Sequence, residues 1–131
     1  MMRRGILHPE LAALLAACGH LDEICVADAG LPIPPEMPRV DLAYAPGRAP
    51  FIDVVEVILG EMVFERALVA EEAATRSPEM LARLRGILGA VACESASHEE
   101  FKNRVTRARL VVRTGEFTPY ANVLLRCGVP F

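Results

Sequence analysis

Residues 19–34 read GHLDEICVADAGLPIP, and this stretch decides the fold of the 131-residue chain. Gly19 follows an apolar helical pattern and is a natural residue for a helix end. The short apolar run 23–27 predicts a buried strand, and the prolines that follow keep the next loop out of helix. The sequence therefore predicts a helix, a strand and a stiff loop in succession.

Titratable side chains lie at both junctions of this stretch. His20 comes just after the predicted helix, and Asp28 is the first residue beyond the predicted strand. Loops held by a rigid scaffold are where binding groups concentrate, so both are candidate site residues. The structural alternative stays open, because a histidine after a helix can cap carbonyls and an aspartate after a strand can form a turn.

Helical and strand patterns alternate along the rest of the chain. We predict helices at 9–18, 51–59, 79–88 and 98–106, and strands at 23–27, 39–43, 62–70, 90–94, 110–113 and 120–125. The segment 62–70 also fits a helix. The alternation predicts an α/β class, with a single three-layer α/β/α domain over residues 1–131 and helices on both faces of one sheet.

Composition restricts the possible partners. Hydrophobic residues make up 53% of the chain and tryptophan is absent, and this apolar excess favours a homo-oligomer that buries part of its surface. The net charge of −3, without a basic stripe interleaved with aromatics, argues against nucleic acid. No apolar run approaches the ~20 residues that span a bilayer, so no membrane partner is expected.

The cysteines form no Cys-x-x-Cys pair. His20 and Asp22, separated by one residue, could chelate a metal, but no second histidine is nearby. We therefore expect no metal, and buried thiols in a reducing cytoplasm. One alternative is export, because residues 15–18 resemble a lipoprotein cleavage box behind a basic start. His8, Pro9 and Glu10 interrupt the apolar run that a signal peptide needs, so we expect a cytoplasmic protein.

Two further pairs of polar residues are candidates for binding. Ser97 begins a capping box that places His98 in the first turn of a helix, where exposed amides bind hydroxyls and oxyanions, and Lys102 follows one turn later on the same face. Tyr120 and Asn122 alternate on a predicted strand and so share a face. These groups suit a polyhydroxylated ligand. The alternatives are solvated surface residues for the first pair and packing for the second.

Five motifs follow one another along the chain: Gly19-His20-x-Asp22, Asp28-Ala29-Gly30-Leu31-Pro32-Ile33-Pro34, His98-Glu99-Glu100-Phe101-Lys102, Gly115-Glu116 and Pro119-Tyr120-Ala121-Asn122. In this order they resemble the motifs of the RbsD/FucU family of sugar mutarotases. The 28–34 stretch looks like the D-ribose pyranase branch. The resemblance implies a mixed sheet, no cofactor and a cytoplasmic homodecamer. It also implies His20 as proton donor, sugar contacts at Asp28, His98, Tyr120 and Asn122, and Lys102 near the sugar.

The implied reaction interconverts the β-pyranose and β-furanose forms of D-ribose. Opening the hemiacetal requires a proton at the ring oxygen and loss of the anomeric proton, which suits a histidine near neutral pH. Our hypothesis makes His20 the acid, Asp28 its orienter and a hydroxyl acceptor, and the other residues positioning groups. The alternatives are a mutarotase for L-fucose or another aldose, and a non-catalytic ribose-binding accessory protein.

Overall fold

A computed structural model describes all 131 residues and contains six strands: β1 (Glu23–Ala27), β2 (Arg39–Asp41), β3 (Phe64–Ala70), β4 (Ala92–Ala96), β5 (Leu110–Arg113) and β6 (Val123–Cys127). They form one sheet in the order β2-β5-β1-β6-β3-β4. β5 is parallel to β1 and β2, β4 is parallel to β3, and β6 is antiparallel to β1 and β3. Five strands therefore point one way. We call the edge where they end the carboxyl edge and the opposite one the amino edge.

Five helices connect the strands: α1 (Pro9–Ala16), α2 (Phe51–Glu61), α3 (Ala73–Arg76), α4 (Pro78–Leu88) and α5 (His98–Val105). Alternation along β1 divides the core, because Ile24 and Val26 join a cluster that includes α1, α2 and α4. Cys25 and Ala27 join a smaller cluster around α5. Helices thus cover both faces of a mixed sheet, which confirms the three-layer α/β/α fold.

The start of α5 follows the predicted capping box. The Ser97 hydroxyl accepts the Glu100 N–H at 3.2 Å. The His98 N–H donates to both carboxylate oxygens of Glu72, at 3.1 and 3.0 Å. These bonds from the His98 backbone hold the pKa of Glu72 below its usual value, and the carboxylate adds negative charge at the positive end of the helix dipole.

Ser77 lies at the junction of α3 and α4. Pro78 begins α4, one residue before the predicted start, and the Ser77 side chain makes no capping bond. Its buried hydroxyl instead donates to the Pro119 carbonyl at 2.6 Å. This bond fastens the junction of α3 and α4 to the loop before β6. The four-residue α3 was not predicted, because one turn is too short to display helical periodicity.

The last strand begins later than predicted. β6 starts at Val123, and Tyr120 has a φ of 60°, which belongs to a turn. The Asn122 N–H donates to the Tyr120 carbonyl at 2.8 Å within that turn. Tyr120 and Asn122 therefore do not alternate on a strand, and the shared-face argument for them was wrong. β4 likewise lies two residues beyond its predicted start. No helix has both the length and the apolar character needed to cross a membrane.

Candidate active site

A pocket of about 560 Å³ opens at the carboxyl edge of the sheet. Loops after β1 and β5, the start of α5 and the turn before β6 meet there, which is where ligands bind in open α/β sheets. Its polar lining residues are Asp28, Arg76, His98, Arg113, Glu116, Thr118 and Tyr120. Three of the predicted site residues, Asp28, His98 and Tyr120, therefore face one cavity.

Asp28 is held from two sides. The Asn122 side-chain amide donates to Oδ2 of Asp28 at 2.9 Å, while its carbonyl oxygen accepts the Asp28 N–H at 2.8 Å. The Gly30 N–H donates to Oδ1 of Asp28 at 2.9 Å. Asn122 is 1% exposed and does not line the pocket. The structure thus brings Asn122 to the site behind Asp28, rather than beside Tyr120 as expected.

The His98 ring is fixed by aromatic neighbours. Its centroid lies 5.0 Å from that of Tyr120 in an edge-to-face arrangement and 6.3 Å from that of Phe101 in a stacked one. Nδ1 of His98 is buried and has no hydrogen-bond partner. Nε2 is therefore the ring nitrogen left to exchange a hydrogen bond with a ligand.

Glu116 organises the loop that leads to Tyr120. One carboxylate oxygen accepts the Phe51 N–H at 3.1 Å, and the other accepts the backbone N–H and the hydroxyl of Thr118 at 3.1 and 2.8 Å. Burial by itself raises the pKa of Glu116, but the hydrogen bonds from Thr118, Phe51 and Phe117 outweigh it, so the pKa lies below its usual value. The loop and the start of α2 are joined through this carboxylate.

Lys102 does not reach this pocket. Its ammonium pairs with Oε1 of Glu99 at 2.6 Å, and it is absent from the pocket lining. The one-turn spacing places Lys102 and His98 along the same helix, as predicted. The side chain of His98 nevertheless turns toward Tyr120 at the start of the helix, while that of Lys102 points back to Glu99.

His20 lies at the other edge of the sheet from Asp28. Its exposed ring contacts Oε2 of Glu65 at 3.3 Å, and it lines a second cavity of about 730 Å³. β1 separates the two residues, and its five residues span about 17 Å at the usual rise of a strand. The prediction that Asp28 orients His20 was wrong for one chain, because a strand between two residues sends them to opposite edges.

The cavity beside His20 also contains two thiols. Burial, and then the nearby Cys18 and Asp22, raise the pKa of Cys127 to about 12. Burial also raises the pKa of Cys18 and that of Cys25. All four cysteines are free, and no group of three His, Cys, Asp or Glu side chains is arranged to hold a metal ion.

Sequence reasoning missed two arginines of the carboxyl-edge pocket. Arg113 donates from Nε to the Ala29 carbonyl at 3.0 Å and from its terminal nitrogen to Asp41 at 2.7 Å. It is the last residue of β5 and pairs in register with Ala27, so its position at a strand end was a usable signal. Arg76 ends α3, a helix that left no signal in the sequence.

The sheet, its two helical layers and the pocket define an α/β protein with a polar cavity at the carboxyl edge. A sequence profile of the RbsD / FucU transport protein family matches residues 1–130. The chain therefore belongs to the RbsD/FucU family, as its motifs indicated.

Individual relatives match over the full length. A protein of Paracidovorax citrulli called D-ribose pyranase is 52% identical, with all of both chains covered. Another D-ribose pyranase, from Geobacillus thermodenitrificans, is 45% identical over all of this chain and 99% of its own. The structure of Bacillus subtilis RbsD complexed with D-ribose superposes with a TM-score of 0.96 at 43% identity, with both chains fully covered.

Proposed function

We propose that this protein is a D-ribose pyranase, an isomerase that interconverts β-D-ribopyranose and β-D-ribofuranose. The observation that carries the proposal is the carboxyl-edge pocket, where Asp28, His98 and Tyr120 converge in a chain 52% identical to a relative of that name. A carboxylate, an imidazole and a phenol together accept and donate the hydrogen bonds that a sugar needs. We propose that all of residues 1–131 form this one domain.

Each pocket residue has a proposed role. The Asp28 carboxylate accepts hydrogen bonds from hydroxyls, Nε2 of His98 bonds one hydroxyl, and the Tyr120 phenol both donates and accepts. Asn122 contributes by holding Asp28, since its amide already bonds Asp28 at both ends. Lys102 stays a predicted sugar neighbour that must leave Glu99 to take part.

His20 remains our proposed acid, supplied by a second copy of the chain. Within one chain β1 holds His20 at the amino edge and Asp28 at the carboxyl edge, too far apart for one pentose. The apolar composition favours a homo-oligomer, and the resemblance implies a ring-built decamer. In such a decamer the exposed imidazole of His20 from one copy enters the pocket of the next copy.

The conversion of pyranose to furanose then consumes and releases equal numbers of protons. Protonated His20 donates to the ring oxygen O5 as the C1–O5 bond breaks, and the anomeric hydroxyl loses its proton to a base while C1 becomes an aldehyde carbonyl. For reclosure the C4 hydroxyl gives its proton to His20 and attacks C1, and the carbonyl oxygen regains its proton. General acid catalysis of this kind contributes about 10² to 10⁴ in rate. We also propose a cytoplasmic location, where free ribose would be processed.

The test compares sugars and variants by NMR exchange between anomeric resonances. We expect faster pyranose–furanose exchange for D-ribose than for L-fucose or D-galactose, and a loss of about 10²-fold or more in His20→Ala. Glu56→Gln on the exposed face of α2 is the matched control and should behave like the parent. Preference for L-fucose would indicate the other aldose activity. Ribose binding seen by saturation transfer, without faster exchange, would indicate a binding protein and overturn the proposal.

A further inference from the structure

The Asn122 side chain is buried behind Asp28 and makes two hydrogen bonds to it. Its carbonyl oxygen accepts the Asp28 N–H and its NH₂ group donates to Oδ2 of Asp28. At 1% exposure the side chain lies under the pocket floor and does not line it. Because this carboxamide is buried and lies outside the pocket lining, its effect on a ligand in the pocket passes through Asp28.

The backbone around Asp28 is fixed as firmly as its carboxylate. The carbonyl of Ala27, one residue before, accepts both the backbone N–H and the hydroxyl of Thr114, at 2.9 and 2.7 Å. Ala29, one residue after, donates its N–H to the Glu116 carbonyl at 2.9 Å and accepts from Arg113. Preorganisation of this kind is what a proton-transfer group requires, since its geometry must be set before the substrate arrives.

Resting on the proposed function, we infer that Asp28 is the base that removes the anomeric proton and that Asn122 is the positioning residue that aims it. Each Asp28 oxygen accepts one hydrogen bond and keeps a lone pair free, because a carboxylate offers about four acceptor sites. The O1–H bond breaks toward Asp28, C1=O1 forms, and the C1–O5 electrons leave with O5, which is protonated by the acid. Asp28 returns its proton to O1 when the furanose closes.

The other carboxylate of the pocket is committed elsewhere. The two oxygens of Glu116 accept three hydrogen bonds from Phe51 and Thr118 and hold the loop. His98 has only Nε2 available, and its ring is wedged against Tyr120 and Phe101. Asp28, which accepts two hydrogen bonds where Glu116 accepts three, is thus the carboxylate with the greater free acceptor capacity in the cavity. The titratable and charged groups around it are Cys25, Arg76, His98, Arg113, Glu116 and Tyr120.

The first test is Asn122→Asp, measured as kcat and KM for ribose exchange across a pH series. Two carboxylates at the present 2.9 Å separation share one proton, so the acidic limb of the kcat profile should move up by about one pH unit or more. We expect kcat at pH 6 to fall on the order of 10- to 100-fold, with KM nearly unchanged. A raised KM with an unmoved pH profile would mean that Asn122 contacts the sugar directly, and would overturn the inference.

The second test exchanges the two residues in Asp28→Asn/Asn122→Asp. An amide at 28 and a carboxylate at 122 can remake the side-chain bond, so the double variant should recover the thermal stability lost in Asp28→Asn and in Asn122→Asp. It should keep a kcat reduced about 10²-fold or more, because position 28 no longer carries a carboxylate that can take the anomeric proton. Parental kcat in the exchanged protein would remove Asp28 as the base. If the parent itself failed to exchange ribose, the proposed function would fail instead, which keeps the two outcomes distinct.

Discussion

Two inactive variants of this protein should restore each other when they assemble together. His20→Ala removes the proposed acid at the amino edge, and Asp28→Asn disables the pocket at the carboxyl edge of the same chain. Because β1 holds these residues at opposite edges, each proposed site combines the His20 of one copy with the Asp28 of another. A His20→Ala chain therefore keeps an intact pocket, and an Asp28→Asn chain keeps an intact acid.

The expected recovery follows from counting intact pairs. With equal amounts of the two chains mixed at random, half of the pockets are intact and half of the neighbouring acids are intact. About one quarter of the sites then hold both, so specific activity should reach about 25% of the parent value. Each variant alone should show about 1% or less, from the loss of general acid or base catalysis.

The assay requires chains that truly mix. The two variants would be co-expressed with different affinity tags and purified over both, and NMR exchange of ribose would report activity. A mixture of the separately purified variants is the control, and it should stay inactive until subunits exchange. Co-assembled protein that stayed at the level of the single variants would show that both residues serve one site within a chain. The proposed role of His20 in a neighbouring pocket would then be wrong.

Three further predictions concern stability and reactivity. Glu116→Ala leaves the Thr118 donors without their acceptor and should lower the free energy of unfolding by about 1–3 kcal/mol in urea titrations. Since the folded pKa of Glu116 is lowered, its contribution to the free energy of unfolding is complete above about pH 4.3 and is lost as pH falls through the folded pKa. Glu116→Gln should remove the part of the acid-side pH dependence of stability that Glu116 contributes, and an unchanged pH dependence would contradict this. Gly115→Ala should leave little folded protein by circular dichroism, because a Cβ there overlaps the Arg48 carbonyl oxygen, and a Tm equal to the parent's would refute this. Cys127, with its pKa raised to about 12, should react with a thiol reagent at pH 8 only after unfolding, so rapid labelling of native protein would count against its burial.

The strands were predictable where an apolar run is bounded by glycine and proline residues that favour turns. β1 was predicted residue for residue, because an apolar run stands between a glycine and a proline loop. Gly19 does not end the helix as predicted, since α1 already ends at Ala16 and Ala17 is its C-cap. Ser97 and the acidic residues behind it located the start of α5 in the same way. These signals are local, and local backbone preferences suffice to place them.

The assembly of the site was less predictable, because it depends on which edge of the sheet each residue reaches. His20 and Asp28 are close in sequence but separated by a strand, whereas Asp28 and Asn122 are 94 residues apart and hydrogen-bonded. Tyr120 was placed on a strand because nothing in a single sequence announces a left-handed residue before an apolar run. Arg76 was missed because the one-turn helix α3 left no signal in the sequence, and Arg113 was missed although its position at a strand end was a usable signal.

With the proposed acid and base on opposite edges and acting across copies, every chain would belong to two sites at once. A substitution near His20 and a substitution near Asp28 on one chain would damage different pockets, so their effects would spread around the assembly. Specific activity should fall on dilution once copies separate, because a separated copy keeps its pocket but lacks the His20 of a neighbour. Were the gene to duplicate and its products to assemble together, each site would be a hybrid. One diverged copy could then alter sugar preference while the other kept the acid.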